Sequence, residues 1–192
     1  MKNKFKILDC TLRDGGYYTQ WNFPQKLVEN YLETVSKLPI SIVELGYLSD
    51  NNDLNGPFYH LNENILLMAQ KILNKNQKIF AMVNTKEIKN AKHLIRLIAG
   101  KSKVIDGIRF AIPPSEIEKF LKILKPVQKK FPNISFNLNL MYLSKWYTDI
   151  HFSKKLINSL SGKIDVVSIV DSYGAMLPNQ ITNFLKIINN KK

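Results

Sequence analysis

The sequence predicts an α/β protein, an incomplete (β/α)8 barrel of about six βα units with parallel strands, formed as a single domain by residues 1–192. Three observations carry this reading. Short runs rich in Ile, Val and Phe alternate with longer runs whose apolar residues recur three and four apart, the periods of buried strands and amphipathic helices. No hairpin signal separates one strand from the next, so neighbours must be parallel and joined by right-handed crossovers. Polar and charged residues fall within or just after the apolar runs, and barrels of this kind build their sites at the C-terminal ends of strands.

Taken in order, FKILDCTL (5–12) is the first strand, and the RDGG (13–16) after it suits either a solvated turn or the mouth of a site. PQKLVENYLETVSKL (24–38) has helical spacing, with Pro24 at its start, where a missing N–H costs little. SIVELGYL (41–48) is a strand with Glu44 inside it, and ENILLMAQKILNK (63–75) is the helix that follows. KIFAMVN (78–84) ends in Asn84 and leads into the helix NAKHLIRLIAG (90–100). VIDGIRFAI (104–112) carries Arg109, and SEIEKFLKILKPVQKKF (115–131) is a helix that Pro126 is expected to kink or end early. ISFNLNLMYL (134–143) carries Asn137 and Asn139, and FSKKLINSLSGK (152–163) is the next helix. DVVSIVD (165–171) runs into Asp171 and Ser172, and NQITNFLKII (179–188) closes the pattern. An open doubly wound sheet is the alternative; the lack of G-x-G-x-x-G after the first strand weakens its dinucleotide-binding form.

Composition narrows the function classes. With 45% hydrophobic and 22% charged residues the chain suits an ordinary core, and no apolar run approaches the ~18 residues of a membrane span. The start, MKNKFKILDC, has no apolar signal region, so no membrane association and a cytoplasmic location are expected. Cys10 is the only cysteine, which excludes an internal disulfide or a thiolate metal cluster within one chain. The net charge of +13 invites a nucleic-acid partner, yet only Arg13, Arg96 and Arg109 among the 28 basic residues are arginines, and the lysines are scattered. Without the forked donors that grip phosphate and bases, no specific nucleic-acid partner is expected.

Several polar residues need a physical account. Glu44 lies in a strand buried on both faces, where an unpaired carboxylate would cost several kcal/mol or become protonated. It needs a cation: Arg13 on the neighbouring strand is the expected partner, with a structural pair to Arg109 as the alternative. Arg109 either holds a substrate carboxylate or braces the barrel interior. Asn84 and Asn139 line the interior or bond to a loop backbone, and Asp171 with Ser172 supports a site or caps the following helix. Tyr17, Tyr18, Tyr47 and Tyr173 fall in predicted loops on one rim, where packing is the commoner role. Of the histidines, His60 is placed near the rim and His93 and His151 on the surface; Cys10 is placed in the core.

LDCTLRDGGY (8–17), VELGYLSD (43–50), DGIRFAI (106–112) and VDSYGAM (170–176), in that order and spacing, resemble the metal-dependent TIM-barrel family of 4-hydroxy-2-oxovalerate aldolase, HMG-CoA lyase, isopropylmalate synthase and the pyruvate carboxyltransferases. The GGY after the Arg-Asp pair is most similar to the aldolase domains. The resemblance implies a lyase that cleaves or forms a C–C bond next to a small 2-oxo acid through an enolate bound to a divalent metal, Mg²⁺ or Mn²⁺. Carried over by position, Asp14 is the metal ligand, Arg13 stabilises the enolate oxygen, Glu44 orients Arg13, and Asp171 with Ser172 supports the site.

The family completes its metal site with an H-x-H on the seventh strand, and this sequence contains none. It ends at INNKK (188–192), where that strand would begin, whereas a full barrel runs to about 250 residues. One carboxylate would hold Mg²⁺ or Mn²⁺ weakly, and the first and sixth strands would be left as edges. Three expectations follow: a piece of a longer aldolase, a divergent member that closes itself as a homo-oligomer, or a barrel closed by a partner chain. The competing function is a catalytically inactive member serving as a binding or structural half barrel.

Overall fold

A computed structural model of the chain describes residues 5–51 and 55–189. The chain ends named above, residues 1–4 and 190–192, lie outside the described residues. Six strands, β1 (Leu8–Asp9), β2 (Ile42–Tyr47), β3 (Lys78–Asn84), β4 (Gly107–Ile112), β5 (Ser135–Leu140) and β6 (Val166–Ile169), pair in sequence order, every pair parallel. They curl into a partial barrel. Helices α1 (Thr11–Thr19), α2 (Gln25–Ser36), α3 (Glu63–Ile72), α4 (Ala91–Ala99), α5 (Ile117–Lys130), α6 (Leu143–Trp146), α7 (Ile150–Leu160) and α8 (Pro178–Asn189) fill the connections. The predicted alternation and parallel pairing are therefore what the chain adopts.

The two faces of the arc differ because side chains alternate along a strand. On the outer face Ile79, Ala81, Val83, Ile108, Phe110, Ile112, Phe136, Leu138 and Leu140 are buried, with Phe110 against Phe120 of α5 at 4.8 Å between ring centres. The inner face is more polar and lies in rows fixed by register: Phe80, Gly107 and Ser135; then Met82, Arg109 and Asn137; then Asn84, Ala111, Asn139 and Ser168. A Cβ on Gly107 would meet the Phe80 ring at 2.2 Å, so that glycine is the space the ring occupies. At the N-terminal end of the barrel the Asp106 and Asp165 carboxylates accept the backbone N–H groups of Ile79 and Phe136, at 2.9 and 2.7 Å.

Two local expectations are corrected. The first strand is only Leu8–Asp9 rather than 5–12, and Arg13 and Asp14 lie in α1, not on a strand end. Asp9 explains the switch: its carboxylate accepts the Thr11 backbone N–H at 2.9 Å and also the Tyr31 hydroxyl of α2, satisfying a donor at the helix start. Pro126 does not end α5 early, since the helix continues to Lys130. Pro126 and Lys122, whose carbonyl loses its partner, both face solvent, while Phe120, Leu124 and Val127 anchor the buried side. Among the described residues no helix is long and apolar enough to cross a membrane.

One irregularity shapes the interior. The β2–β3 register shifts between Glu44 and Tyr47, a bulge of the kind that re-aims side chains near functional sites. Gly46 sits in it, and the loop that crosses above presses its backbone close: a Cβ at Gly46 would lie 1.9 Å from the Phe58 carbonyl oxygen, which accepts the Tyr47 N–H at 2.8 Å. Backbone cannot yield as a side chain can. Gly46→Ala is expected to destabilise the protein by about 3 kcal/mol, at the upper end of overpacking costs, read as a lowered urea midpoint with an unchanged slope.

Candidate active site

The centre of the site is Glu44. Its side chain is fully buried, and its two oxygens are divided between two guanidiniums: Arg13 Nε donates to Oε1 at 2.8 Å and Arg109 Nη1 to Oε2 at 3.0 Å. Both cations named as alternative partners are thus engaged at once, one from α1 and one from β4. Arg13 also pairs with Asp14 through Nη1, and its backbone carbonyl accepts the Trp21 indole N–H at 2.9 Å, which fixes the first turns of α1 against the loop that follows. Gly16 makes that contact possible, because a Cβ there would lie 2.1 Å from the Trp21 ring.

The electrostatics follow from the geometry. Burial works against the Arg13 charge, but Glu44 outweighs it and holds the guanidinium firmly protonated. Each guanidinium has five N–H donors. Glu44 and Asp14 take two from Arg13, and Glu44 takes one from Arg109. Both side chains keep some surface, 13% and 12%, so spare donors remain for an anion. Two positive charges also face one fully buried negative one, and the second carboxylate, Asp14, is 55% exposed.

Asp14 is the weak point of a metal centre. One oxygen is paired with Arg13 and the other accepts the Cys10 thiol at 3.2 Å; burial and this bond push the thiol up to about 11, so Cys10 stays a neutral donor. Among the described residues no group of three His, Cys, Asp or Glu side chains could hold a metal ion. The described residues therefore do not by themselves form a site for Mg²⁺ or Mn²⁺; among them Asp14 is a single candidate ligand.

Beside this cluster a cavity of about 290 Å³ opens at the C-terminal ends of β2 to β5, with Tyr17, Trp21, Tyr47, Asn84, Lys86 and Tyr142 among its walls. Tyr17 and Tyr47 join hydroxyls at 3.1 Å, and burial followed by this bond raises the Tyr47 phenol. Trp21 packs edge-on against Tyr17, Tyr47 and Tyr59. Of the predicted rim tyrosines, Tyr17 and Tyr47 reach the cavity, Tyr18 is almost wholly exposed, and Tyr173 stacks on Tyr142 at 5.4 Å.

The remaining candidates fall into place around it. Asn84 lines the cavity and is also tied to the loop: its amide accepts the Lys86 N–H at 3.2 Å and donates to Glu87 at 3.2 Å. Asn139 is 5% exposed, and its buried carbonyl oxygen has no hydrogen-bond partner; it shares the row of Asn84 and Ala111, both cavity-wall residues. Asp171 accepts the Met176 N–H at 2.8 Å with one oxygen and leaves the other buried and unpartnered, so it organises the turn ahead of α8. The Ser172 hydroxyl accepts the Tyr142 N–H at 3.0 Å, linking the loops after β5 and β6.

Sequence reasoning missed Trp21, Lys86 and Glu87. The Glu87 carboxylate, just after β3, accepts from Ser49 and Tyr59, each at 2.6 Å, and from Asn84; a carboxylate three residues beyond a strand-end asparagine was the available signal. His93 is corrected from surface to buried: Nδ1 accepts the Lys89 N–H at 3.3 Å, so Nε2 carries the proton it shares with Asp50 at 2.9 Å. His60 faces the Ser49 carbonyl and the edge of Tyr59.

Two measurements follow. Glu44→Gln leaves two inward guanidiniums short of their shared counter-charge and is expected to cost about 3 kcal/mol in urea unfolding, partly restored when Arg109→Met is added. At Asp50, desolvation opposes ionisation, but bonds from His93 and Arg96 prevail and hold the carboxyl below its ordinary value. A depressed carboxylate stabilises the fold above its unfolded pKa and loses that contribution as pH falls through the folded one. The stability difference between the protein and Asp50→Asn is therefore expected to be present at neutral pH and to shrink below about pH 4.

The chain is similar to solved structures of two proteins. The N-terminal domain of a candidate aldolase from Bacteroides vulgatus superposes with a TM-score of 0.87 and 34% identity, over 96% of this chain and 60% of that one. An HMG-CoA lyase from Acinetobacter baumannii, solved with coenzyme A and 3-methylmalate, superposes with a TM-score of 0.57 and 12% identity, over 94% of this chain and 60% of that one, a likeness of fold. The chain thus spans 60% of the length of each. No protein-family model and no curated protein sequence matches it. By its fold the chain stands with the aldolase- and lyase-type barrels.

Proposed function

We propose that the chain carries the oxo-acid end of an aldolase site of the 4-hydroxy-2-oxovalerate type, acting on a small 2-oxo acid. The observation that supports this most is the buried Glu44 clamped between Arg13 and Arg109, which presents fixed, charged donors inside the barrel. Retro-aldol cleavage breaks the C3–C4 bond of a 4-hydroxy-2-oxo acid. The hydroxyl proton leaves to a base, the C4–O bond becomes a carbonyl, and the C3–C4 electron pair passes into the oxo acid as an enolate. Charge then develops on the C2 oxygen, where donors positioned before the reaction are worth most. Arg13 is that donor, Glu44 positions it, and Arg109 offers its spare N–H groups to the substrate carboxylate. Asn139 supplies an acceptor that no partner satisfies among the described residues.

A divalent cation of the kind the resemblance implies would take Asp14 as one ligand. Further ligands would come from other parts of the protein or from a second subunit or partner chain that closes the barrel.

The test is cleavage of 4-hydroxy-2-oxovalerate, with pyruvate release followed by a coupled assay in Mn²⁺ and again in chelator. Arg13→Lys keeps the charge but loses the fork held by Glu44, and is expected to lower kcat by about 10²- to 10³-fold. Asp14→Ala is expected to abolish any Mn²⁺ dependence. Pyruvate release that is no faster than in the absence of protein would favour the non-catalytic half barrel.

A further inference from the structure

Trp21 ties the cavity to the arginine cluster, since its ring forms part of the wall while its N–H holds the Arg13 carbonyl. Tyr17 and Tyr47, Ala111 of β4, Met141 after β5, Pro113 and Lys86 line the same space. Apart from Lys86, every lining residue is uncharged. Four tyrosines and Trp21 give the wall a largely aromatic character, and the one ammonium stands among them. Among the described residues Lys86 has no carboxylate within ion-pair distance; the nearby Glu87 carboxylate is already occupied by Ser49, Tyr59 and Asn84. The position of Lys86 is also set. Its backbone N–H is held by Asn84, and the neighbouring Thr85 hydroxyl donates to the Ala111 carbonyl at 2.9 Å, pinning the turn to β4.

Lys86 follows the C-terminal end of β3, four residues beyond Met82, with which Arg109 is in register, so a cation on the aromatic-walled cavity and the guanidinium cluster deeper in the barrel are together complementary to a chain carrying an anion at each end. We propose that Lys86 is a specificity-determining residue: it receives a terminal carboxylate on the part of the substrate remote from the oxo acid, so the preferred ligand is a dicarboxylate rather than a methyl-ended oxo acid. A lone ammonium is a point charge that suits a carboxylate, and among the described residues no arginine fork of the kind that grips a phosphate in two places lines the cavity. The inference rests on the oxo-acid reading above for the orientation of the ligand, and adds the identity of its far end.

The test is binding, read by Trp21 fluorescence in a Trp146→Phe background, with Mg²⁺ present. The probes are 2-oxoadipate and 2-oxohexanoate, which match in length and differ only in a terminal carboxylate or methyl. The expected result is about tenfold tighter binding of 2-oxoadipate, the scale of one charge-assisted hydrogen bond at a partly exposed site. Lys86→Met should remove that preference without weakening 2-oxohexanoate, and Lys86→Arg should restore it. Lys86 is exposed, so these variants are expected to fold. Equal affinity for the two probes, or a preference that survives Lys86→Met, overturns the role of Lys86 and leaves the oxo-acid reading intact. Failure of both probes to bind overturns both readings.

Discussion

A single carboxylate, Glu44, governs the interior of this barrel. It is fully buried on a strand enclosed on both faces, and its two oxygens hold guanidiniums that reach it from opposite directions: one from the helix after β1, the other from the middle of β4. The pairing connects parts of the chain 31 and 65 residues away from Glu44. It also fixes which way each fork faces. The β2 bulge, the glycine that lets the Phe58 loop press down, and the short first strand all lie around this one contact.

The local structure explains why Arg13 can take part. In a strand, adjacent residues 13 and 14 would point to opposite faces. In the first turns of α1 they instead lie close enough for the guanidinium to touch its own neighbour and Glu44 together. Asp9 brings the helix forward by accepting the Thr11 N–H, and Trp21 secures it by bonding the Arg13 carbonyl. The glycine after the Arg-Asp pair that matters most is Gly16, which leaves room for the indole.

Much of this was legible in the sequence, because the signals are periodic or energetic. Six apolar runs separated by helical spacing give the parallel sheet, and a glutamate inside a doubly buried strand demands a cation wherever that cation comes from. What the sequence could not convey is competition at chain ends and in loops. FKILDCTL has strand composition, yet two residues of it pair and the rest yields to a helix started by Asp9. Pro126 is a helix breaker by propensity, outweighed by the buried face of α5 and tolerated because its orphaned carbonyl faces water. The Glu87 and Asp50–His93 contacts join residues from separate loops and helices, and no spacing rule announces such pairs.

The arrangement is a poor solution if stability were its sole purpose. Replacing buried ion pairs with apolar side chains of similar volume is often neutral or stabilising, since desolvation consumes most of the Coulombic gain. A barrel interior is ordinarily filled with branched apolar residues. Here the middle and upper rows instead carry Arg109, Asn137, Asn84 and Asn139, and the Asn139 carbonyl is left without a donor. An unmet buried acceptor and guanidiniums with donors to spare are both costs to the empty fold that a bound anion with its own hydroxyl group would offset. That is the physical reason to read this end of the barrel as a site for chemistry, whereas the Asp106 and Asp165 carboxylates at the other end, satisfied by strand N–H groups, belong to the scaffold.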